Sequence, residues 1–229
     1  MSTAHLDEVR CPSCGHRWEV QVYRGLRIAR LPHVREAILR GDWQVYACPS
    51  CGARTQVHRY PVVYTDFPRG IYVAVEAATA EVEPALARHR EAFDACFTLG
   101  PEVAEALGGS LSPRLVFGMP ALREKLLVME GGLDDVVIEA VKGDLLAAEG
   151  VPLDAVELRL LTVLPGGHLM FARFPPVVRS DATVVPARVP SGFSTVPSWK
   201  VEHRAADRAR LFEDWPKLRD GWVVDIGLR

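Results

Sequence analysis

The sequence lacks long hydrophobic runs, and none of its apolar stretches approaches the roughly 20 residues needed to span a bilayer. Its opening segment, MSTAHLDEVR, is polar and charged and so lacks the apolar core of a secretory signal. An excess of charge of one sign is also missing, because 27 Lys and Arg are balanced by 29 Asp and Glu. We therefore expect a cytoplasmic protein with no membrane partner and no strong overall attraction to nucleic acid.

The sequence also contains none of the short motifs that accompany common enzyme chemistries, namely the P-loop, GxGxxG, GxSxG and HExxH. Cysteine is scarce, with five in 229 residues. In a reducing compartment such a small number is better explained by one metal site and one remaining thiol than by disulfides. We predict that the remaining thiol, Cys96, lies in the core, because it falls among apolar residues of a helical stretch.

Four of the cysteines form two identical CPSCG segments, Cys11 to Gly15 and Cys48 to Gly52. Two residues between cysteines allow both sulfurs of a tight turn to face one ion, and two such turns complete the tetrahedron that Zn²⁺ prefers. The glycine that follows each pair permits a positive φ, which brings backbone N–H groups toward the sulfurs. The pattern predicts that Cys11, Cys14, Cys48 and Cys51 bind one structural zinc ion.

Two other uses of the same cysteines stay open. Iron in a four-cysteine site would use nearly the same turns and would make an electron carrier. A redox dithiol is the other, although such pairs usually begin a helix, whereas here β-patterned sequence follows each turn. His16 and His58 follow the two turns and could replace a ligand, but four cysteines already suffice. A closed four-cysteine shell leaves no position for water or substrate, so it favours a structural role.

Hydrophobic periodicity divides the chain into three parts. Residues 1–80 follow the β period, apart from one helix that begins at Pro32 and ends at Gly41. Residues 81–148 are predicted to be helical, including a helix over LDDVVIEAVKGDLLAA and a turn or two after Pro120. Residues 149–229 return to the β period with a hairpin around PGG, a proline-rich stretch over 175–201, a helix over 202–214 and a last strand at WVVDI.

These patterns predict an α+β fold. It would comprise a zinc-ribbon-like antiparallel β-domain with an inserted helix, then a helical segment, then a C-terminal β-rich α+β region. We place the domain boundary at 148/149, with the zinc-ribbon part at 1–80, the helical part at 81–148 and the C-terminal region at 149–229.

With both cysteine turns placed, the chain resembles the CpXC domain family of bacterial and archaeal proteins. The resemblance covers residues 9–142: it includes the spacer between the turns and a second signature within LREKLLVMEGGLDDVVIEAVK. It implies a bound metal and the extent of the domain, but no activity, since the family has no established one. The matching residues of that second signature are Leu122, Glu124, Lys125, Gly132, Leu133, Asp134, Asp135, Glu139 and Lys142.

Asp134, Asp135 and Glu139 are the candidates for acid–base chemistry, because Asp135 and Glu139 are four residues apart and share a helix face. The alternative is that the aspartates favour a helix N-terminus and that Glu139 is solvated or paired with Lys142. We favour this alternative, because no acid–base partner is evident. Glu124 and Lys125 are interpreted as a surface pair or a salt bridge between segments.

Taken together, the sequence favours a protein-interaction or adaptor module with a purely structural zinc and another protein as its partner. One alternative is a nucleic-acid-binding zinc ribbon, in which strand aromatics and arginines would form a stacking platform. The aromatics concerned are Trp18, Tyr23, Trp43, Tyr46, Tyr60, Tyr64 and Tyr72. The other alternative is an enzyme with a carboxylate site around Asp134, Asp135 and Glu139.

Overall fold

The computed structural model describes residues 3–57, 61–78, 80–176, 190–223 and 225. Its strands are β1 (Thr3–Arg10), β2 (Arg17–Arg27), β3 (Val45–Ala47), β4 (Arg54–Gln56), β5 (Val62–Asp66), β6 (Ile71–Glu76), β7 (Ser112–Phe117), β8 (Glu157–Val163), β9 (Leu169–Phe174) and β10 (Gly192–Val196). Its α-helices are α1 (Pro32–Arg40), α2 (Val82–Phe97), α3 (Glu102–Gly109), α4 (Met119–Glu130), α5 (Asp135–Ala148), α6 (Ser198–Ala206) and α7 (Arg208–Asp214). Across these residues, no helix is long and apolar enough to cross a membrane.

Local signals explain where the clearest helices begin and end. Pro32 occupies the first turn of α1, where its missing N–H costs nothing, and Gly41 ends the helix with a φ of 78°. Asp134 caps α5 by accepting hydrogen bonds from the backbone N–H groups of Val136 and Val137 at 2.9 and 3.4 Å. The predicted stop at Gly41 and the predicted role of Asp134 at a helix N-terminus are both confirmed.

The largest sheet contains five strands in the order β1-β2-β5-β6-β7. The β1/β2 and β5/β6 pairs are antiparallel, whereas β2/β5 and β6/β7 are parallel. A second, antiparallel sheet has the order β10-β9-β8, and β3 and β4 form a two-stranded antiparallel ribbon. The predicted α+β class is therefore confirmed, and the main sheet is mixed.

Strand β6 lies at the centre of the packing, and all six of its residues are buried. On one face of the sheet, Tyr64 and Val73 pack with Val34 of α1 and Leu122 of α4. On the other face, Tyr72 packs against Phe93 of α2 with ring centroids 5.0 Å apart. A strand buried on both faces explains why IYVAVE has no polar alternation.

A further hydrophobic cluster joins α5 to the second sheet. It contains Val137 and Val141 of α5, Leu160 of β8, Phe171 of β9 and Leu211 of α7. The cluster thus has members from both sides of the 148/149 boundary. The division into residues 1–148 and 149–229 stays a prediction.

Two elements differ from the predictions. Strand β7 lies within residues 81–148, which were predicted to be helical. Pro113 is tolerated there because, among the described strands, β7 ends the sheet order and Pro113 sits near its start. Helix α4 has 12 residues instead of a turn or two, and the polar, charged opening segment forms β1. Three predicted elements lie partly outside the described residues. They are the strand over ARTQVHRYPVVYTDF at residues 58–60, the proline-rich stretch at 177–189, and the strand WVVDI at 224 and 226.

Candidate metal centre and buried charge cluster

The two CPSCG segments fold into nearly identical turns at the ends of two β-hairpins. In the first, between β1 and β2, the N–H of Gly15 donates to the carbonyl of Cys11 at 2.9 Å. In the second, between β3 and β4, the N–H of Gly52 donates to the carbonyl of Cys48, also at 2.9 Å. Gly15 and Gly52 have φ angles of 75° and 72°, a conformation that favours glycine over residues with a Cβ. The predicted positive φ of the glycine that follows each cysteine pair is therefore confirmed.

The turns bring all four predicted sulfurs together. The ligand atoms of Cys11, Cys14, Cys48 and Cys51 all lie within 4.8 Å of one another. The Sγ atoms of Cys11 and Cys51 are 3.6 Å apart, and those of Cys14 and Cys48 are 3.7 Å apart. A tetrahedral ion with metal–sulfur bonds of about 2.3 Å places its sulfurs about 3.8 Å apart. The four side chains therefore fit one tetrahedral metal ion, zinc and iron alike.

The thiols of this cluster influence each other's ionisation. The backbone N–H of Cys14 lowers the pKa of the Cys11 thiol to about 6. The backbone N–H of Ala53 acts to lower the pKa of Cys51, but hydrogen bonds with the neighbouring cysteines raise it to about 12. Without a metal, the Cys51 thiol therefore keeps its proton beside a Cys11 thiol whose pKa is lowered. Metal binding requires thiolates and would release the thiol protons, which makes the affinity depend on pH.

Among the described residues, hydrogen bonds and a small apolar cluster also join the two hairpins. The side chain of Gln44 accepts from the backbone N–H of Tyr23 at 2.9 Å and donates to the carbonyl of Val57 at 3.1 Å. A small cluster of four buried valines packs beside it, from β1, β2 and residue 57. Because this core is small, an ion that joins both hairpins would contribute substantially to their stability.

The remaining candidate ligands and thiols lie elsewhere. His16 is exposed and stacks on Trp18, with ring centroids 6.3 Å apart, and it does not belong to the sulfur cluster. His58 lies outside the described residues. The prediction that Cys96 is a core thiol is wrong: it lies on the solvent side of α2, while Phe93 of the same helix faces the core.

Charged residues of the second signature belong to a buried charge cluster. The cluster is defined here as Glu124, Lys125, Asp135, Glu139, Lys142, Arg159 and Asp225, with Arg114 at its edge. The interpretation of Glu124 and Lys125 as a surface pair is wrong, because both side chains are buried. The alternative of salt bridges between segments is confirmed, because Glu124 pairs with Arg159 and Lys125 pairs with Asp135. Most residues of α4 are buried, including Glu124 and Lys125, whereas Glu130 is exposed. Because four of its 12 residues are charged, no local pattern in the sequence distinguishes the buried charges from the exposed ones.

Lys142 lies at the centre of the buried charge cluster. Its Nζ atom donates to both carboxylate oxygens of Glu124 at 3.1 and 3.2 Å and to Glu139 at 2.8 Å. Glu124 also accepts from Arg159 at 2.9 Å and from the backbone N–H of Leu160 at 2.6 Å. Arg159 in turn donates to Asp225 at 2.9 Å. The cluster therefore links α4 and α5 to β8 and to the end of the described chain.

The electrostatics of the cluster depend on how well each carboxylate is paired. Burial acts to raise the pKa of Glu124, but the charges of Lys142 and Arg159 outweigh it and hold that pKa below its ordinary value. Burial has the larger effect at Glu139 and raises its pKa, although Lys142 and Lys125 oppose this. Glu139 is therefore the carboxylate of the cluster that is protonated most easily.

The three predicted acid–base candidates do not converge into a catalytic carboxylate pair. Asp135 accepts from Arg114 at 2.7 Å and lies 3.3 Å from Lys125, and these cations outweigh burial and lower its pKa to about 2. Asp134 caps α5 and pairs with Arg208. Asp134 and Asp135 line an open cleft, whereas Glu139 is buried in the charge cluster.

The fold and the cysteine site define a class: an α+β protein with a four-cysteine centre that could bind a metal ion, built on two β-hairpins. Comparison with protein families then gives a specific match. The CpXC protein family matches residues 9–142, which is more than half of the chain, so the chain belongs to that family. Comparisons with curated proteins and with solved structures give no match.

Proposed function

We propose that this chain is a cytoplasmic protein-interaction module in which a structural zinc ion joins the β1/β2 and β3/β4 hairpins. The observation that carries the proposal is the closed shell of four sulfurs, in which each hairpin supplies two ligands. A tetrahedral zinc ion with four thiolate ligands has no open position for water or substrate. Its role would then be to hold the hairpins in one arrangement.

The second sheet supplies a surface that suits a protein partner. Phe193 on β10 and Trp199 at the start of α6 are 61% and 59% exposed. Aromatic side chains are enriched in protein interfaces and often dominate their binding energy. Strand β10 is also an outer strand among the described residues of its sheet, so a partner strand could pair with it.

The alternative of a nucleic-acid-binding ribbon receives less support from the aromatic side chains. Trp43, Tyr64 and Tyr72 are buried in the core and cannot stack on bases, while Tyr60 lies outside the described residues. Trp18, Tyr23 and Tyr46 remain partly exposed. An acid–base site is also less well supported, because Asp134 and Asp135 are each engaged by an arginine.

The test is affinity purification from the native host, followed by a binding measurement with the purified partner. We expect the Phe193→Ala/Trp199→Ala variant to weaken binding at least tenfold while its metal content stays unchanged. Leu99→Ala is the matched control, because Leu99 is an exposed apolar residue on a different part of the surface. A partner whose affinity is the same for all three proteins would contradict the proposed surface.

A separate variant tests the role of the metal. Cys11→Ser/Cys48→Ser removes one sulfur from each hairpin and should lose both the ion and the ordered β signal of the hairpins. A variant that lost its metal but kept its fold and its partner affinity would contradict the structural role.

A further inference from the structure

An open cleft of about 940 Å³ lies on the side of the main sheet covered by α1 and α4. Four arginines from four different elements line it: Arg35 of α1, Arg69 before β6, Arg114 of β7 and Arg208 of α7. Its volume is within the range of pockets that hold nucleotide-sized molecules, roughly 300–1,000 Å³. The fold thus brings four arginines from distant parts of the sequence to one cleft, an arrangement that suits an anionic ligand.

The four guanidinium groups differ in how many of their donors are used. Arg114 uses four of its N–H groups: it donates to both oxygens of Asp135 and to the carbonyls of Pro113 and Gly221. It therefore serves the fold. A guanidinium carries five N–H donors, so an arginine with one ionic contact keeps several for a ligand.

The other three arginines have such donors left. Within the described part of the chain, Arg35 pairs with Glu130, Arg208 pairs with Asp134, and Arg69 approaches Asp66 only at 3.5 Å. The side chains of Arg69 and Arg208 are 54% and 51% exposed. These groups can turn toward an anion in the cleft without losing a buried contact.

The cleft also has an apolar part. Ile71, Leu126, Met129 and Leu133 line it together with the arginines. A small inorganic anion would leave these side chains uncovered, whereas an organic molecule could pack on them. Phosphate is the anion best matched to several guanidinium groups at once, because it offers several acceptor oxygens in the geometry that arginine recognises.

We propose that this cleft binds a phosphorylated organic molecule of nucleotide size. Arg35, Arg69 and Arg208 contact the phosphate, and the organic part packs on Leu126 and Met129. This site is separate from the cysteine centre and from the proposed interaction surface.

Isothermal titration of the metal-loaded full chain tests the proposal with four probes: adenosine 5′-monophosphate, adenosine 5′-triphosphate, fructose 1,6-bisphosphate and pyrophosphate. We expect at least one organic phosphate to bind more tightly than pyrophosphate. Arg69→Ala and Arg208→Ala should each weaken that binding about tenfold or more, since each removes charged hydrogen bonds. Arg210→Ala is the matched control, because Arg210 lies on the same helix and does not line the cleft.

Arg69→Ala and Arg208→Ala also separate binding from folding, because both side chains are more than half exposed. Surface ion pairs contribute little to stability, so we expect weaker ligand binding with a melting temperature close to that of the wild type. The proposal is overturned if no organic phosphate binds more tightly than pyrophosphate. It is also overturned if Arg210→Ala weakens binding as much as Arg208→Ala, because general charge attraction would then explain the binding.

Discussion

The Lys142→Met variant removes the ammonium group that lies between Glu124 and Glu139 in the buried charge cluster. Lys142 is 2% exposed and Glu124 and Glu139 are each 1% exposed, so water cannot replace the lost contacts. Methionine fills much of the space of the lysine side chain, so the variant tests the charge more than the packing. Glu124 keeps Arg159 as a partner, and Glu139 keeps the more distant Lys125, at 3.7 Å.

Removing one partner from a buried ion pair typically costs about 3–5 kcal/mol, because the other charge stays buried. In a chain of this size, 1 kcal/mol corresponds to roughly 2–4 °C in melting temperature. We therefore expect Lys142→Met to lower the melting temperature by roughly 6–20 °C at pH 7. Because burial already raises the pKa of Glu139, protonation of this residue should reduce the loss at pH 5.

Urea denaturation followed by circular dichroism measures the free energy of unfolding of the metal-loaded protein. Lys200→Met is the matched control, because Lys200 is exposed. Its ammonium makes a cation–π contact at the surface, 5.7 Å from the ring centroid of Trp199. The control should remain within about 0.5 kcal/mol of the wild type. A loss below about 1 kcal/mol in Lys142→Met would refute the reasoning, since a buried, doubly paired ammonium must cost more to remove.

Three further predictions concern single positions. The charges of Lys125 and Arg114 outweigh burial and lower the pKa of the Asp135 carboxyl from 3.8 to about 2. Its stabilisation is therefore complete above about pH 5 and is lost as pH falls toward 2. Asp135→Asn should cost about 2 kcal/mol at pH 7 and progressively less below about pH 5 in urea denaturation. Gly15→Ala and Gly52→Ala should each lower the free energy of unfolding by about 1–2 kcal/mol and weaken metal binding in a chelator competition, because both glycines have positive φ. Gly109→Ala is the control and should be neutral, because a Cβ at that position meets open space. One thiol, Cys96, should react with iodoacetamide in the metal-loaded protein, and all five should react after chelation and unfolding.

Each of these predictions has an outcome that contradicts it. An Asp135→Asn penalty that is independent of pH would show that the lost contacts are not ionic. Equal effects of all three glycine substitutions would exclude backbone strain as the cause. Rapid alkylation of several thiols in the metal-loaded protein would show that the cysteine turns do not hold an ion.

The four-cysteine cluster could be predicted from sequence because its determinants are local. Each turn needs only five consecutive residues, and the spacing of the cysteines and the position of the glycine fix its geometry. Helix α1 was equally accessible, since Pro32 and Gly41 mark its two ends. Strand β7 was missed because its pairing with β6 is a long-range contact that overrides the local signal of Pro113.

The buried charge cluster could be predicted only in part. A pairing of Glu139 with Lys142 and a salt bridge between segments at Glu124 and Lys125 were among the predicted alternatives. The burial of these groups was not predicted, because charged residues are almost always exposed unless paired. Their partners, Arg159 and Asp225, lie far along the sequence and approach only in the folded protein. The arginines of the open cleft also come from separate elements, and no local pattern connects them.

The central claim is that the four clustered cysteines hold one structural zinc ion, and elemental analysis tests it most directly. The protein is purified without added metal, and its zinc and iron are measured per chain beside the Cys11→Ser/Cys48→Ser variant. We predict one zinc per wild-type chain, no iron, and loss of the zinc in the variant. Iron with a visible absorption band, or zinc that is retained by the variant, would contradict the account.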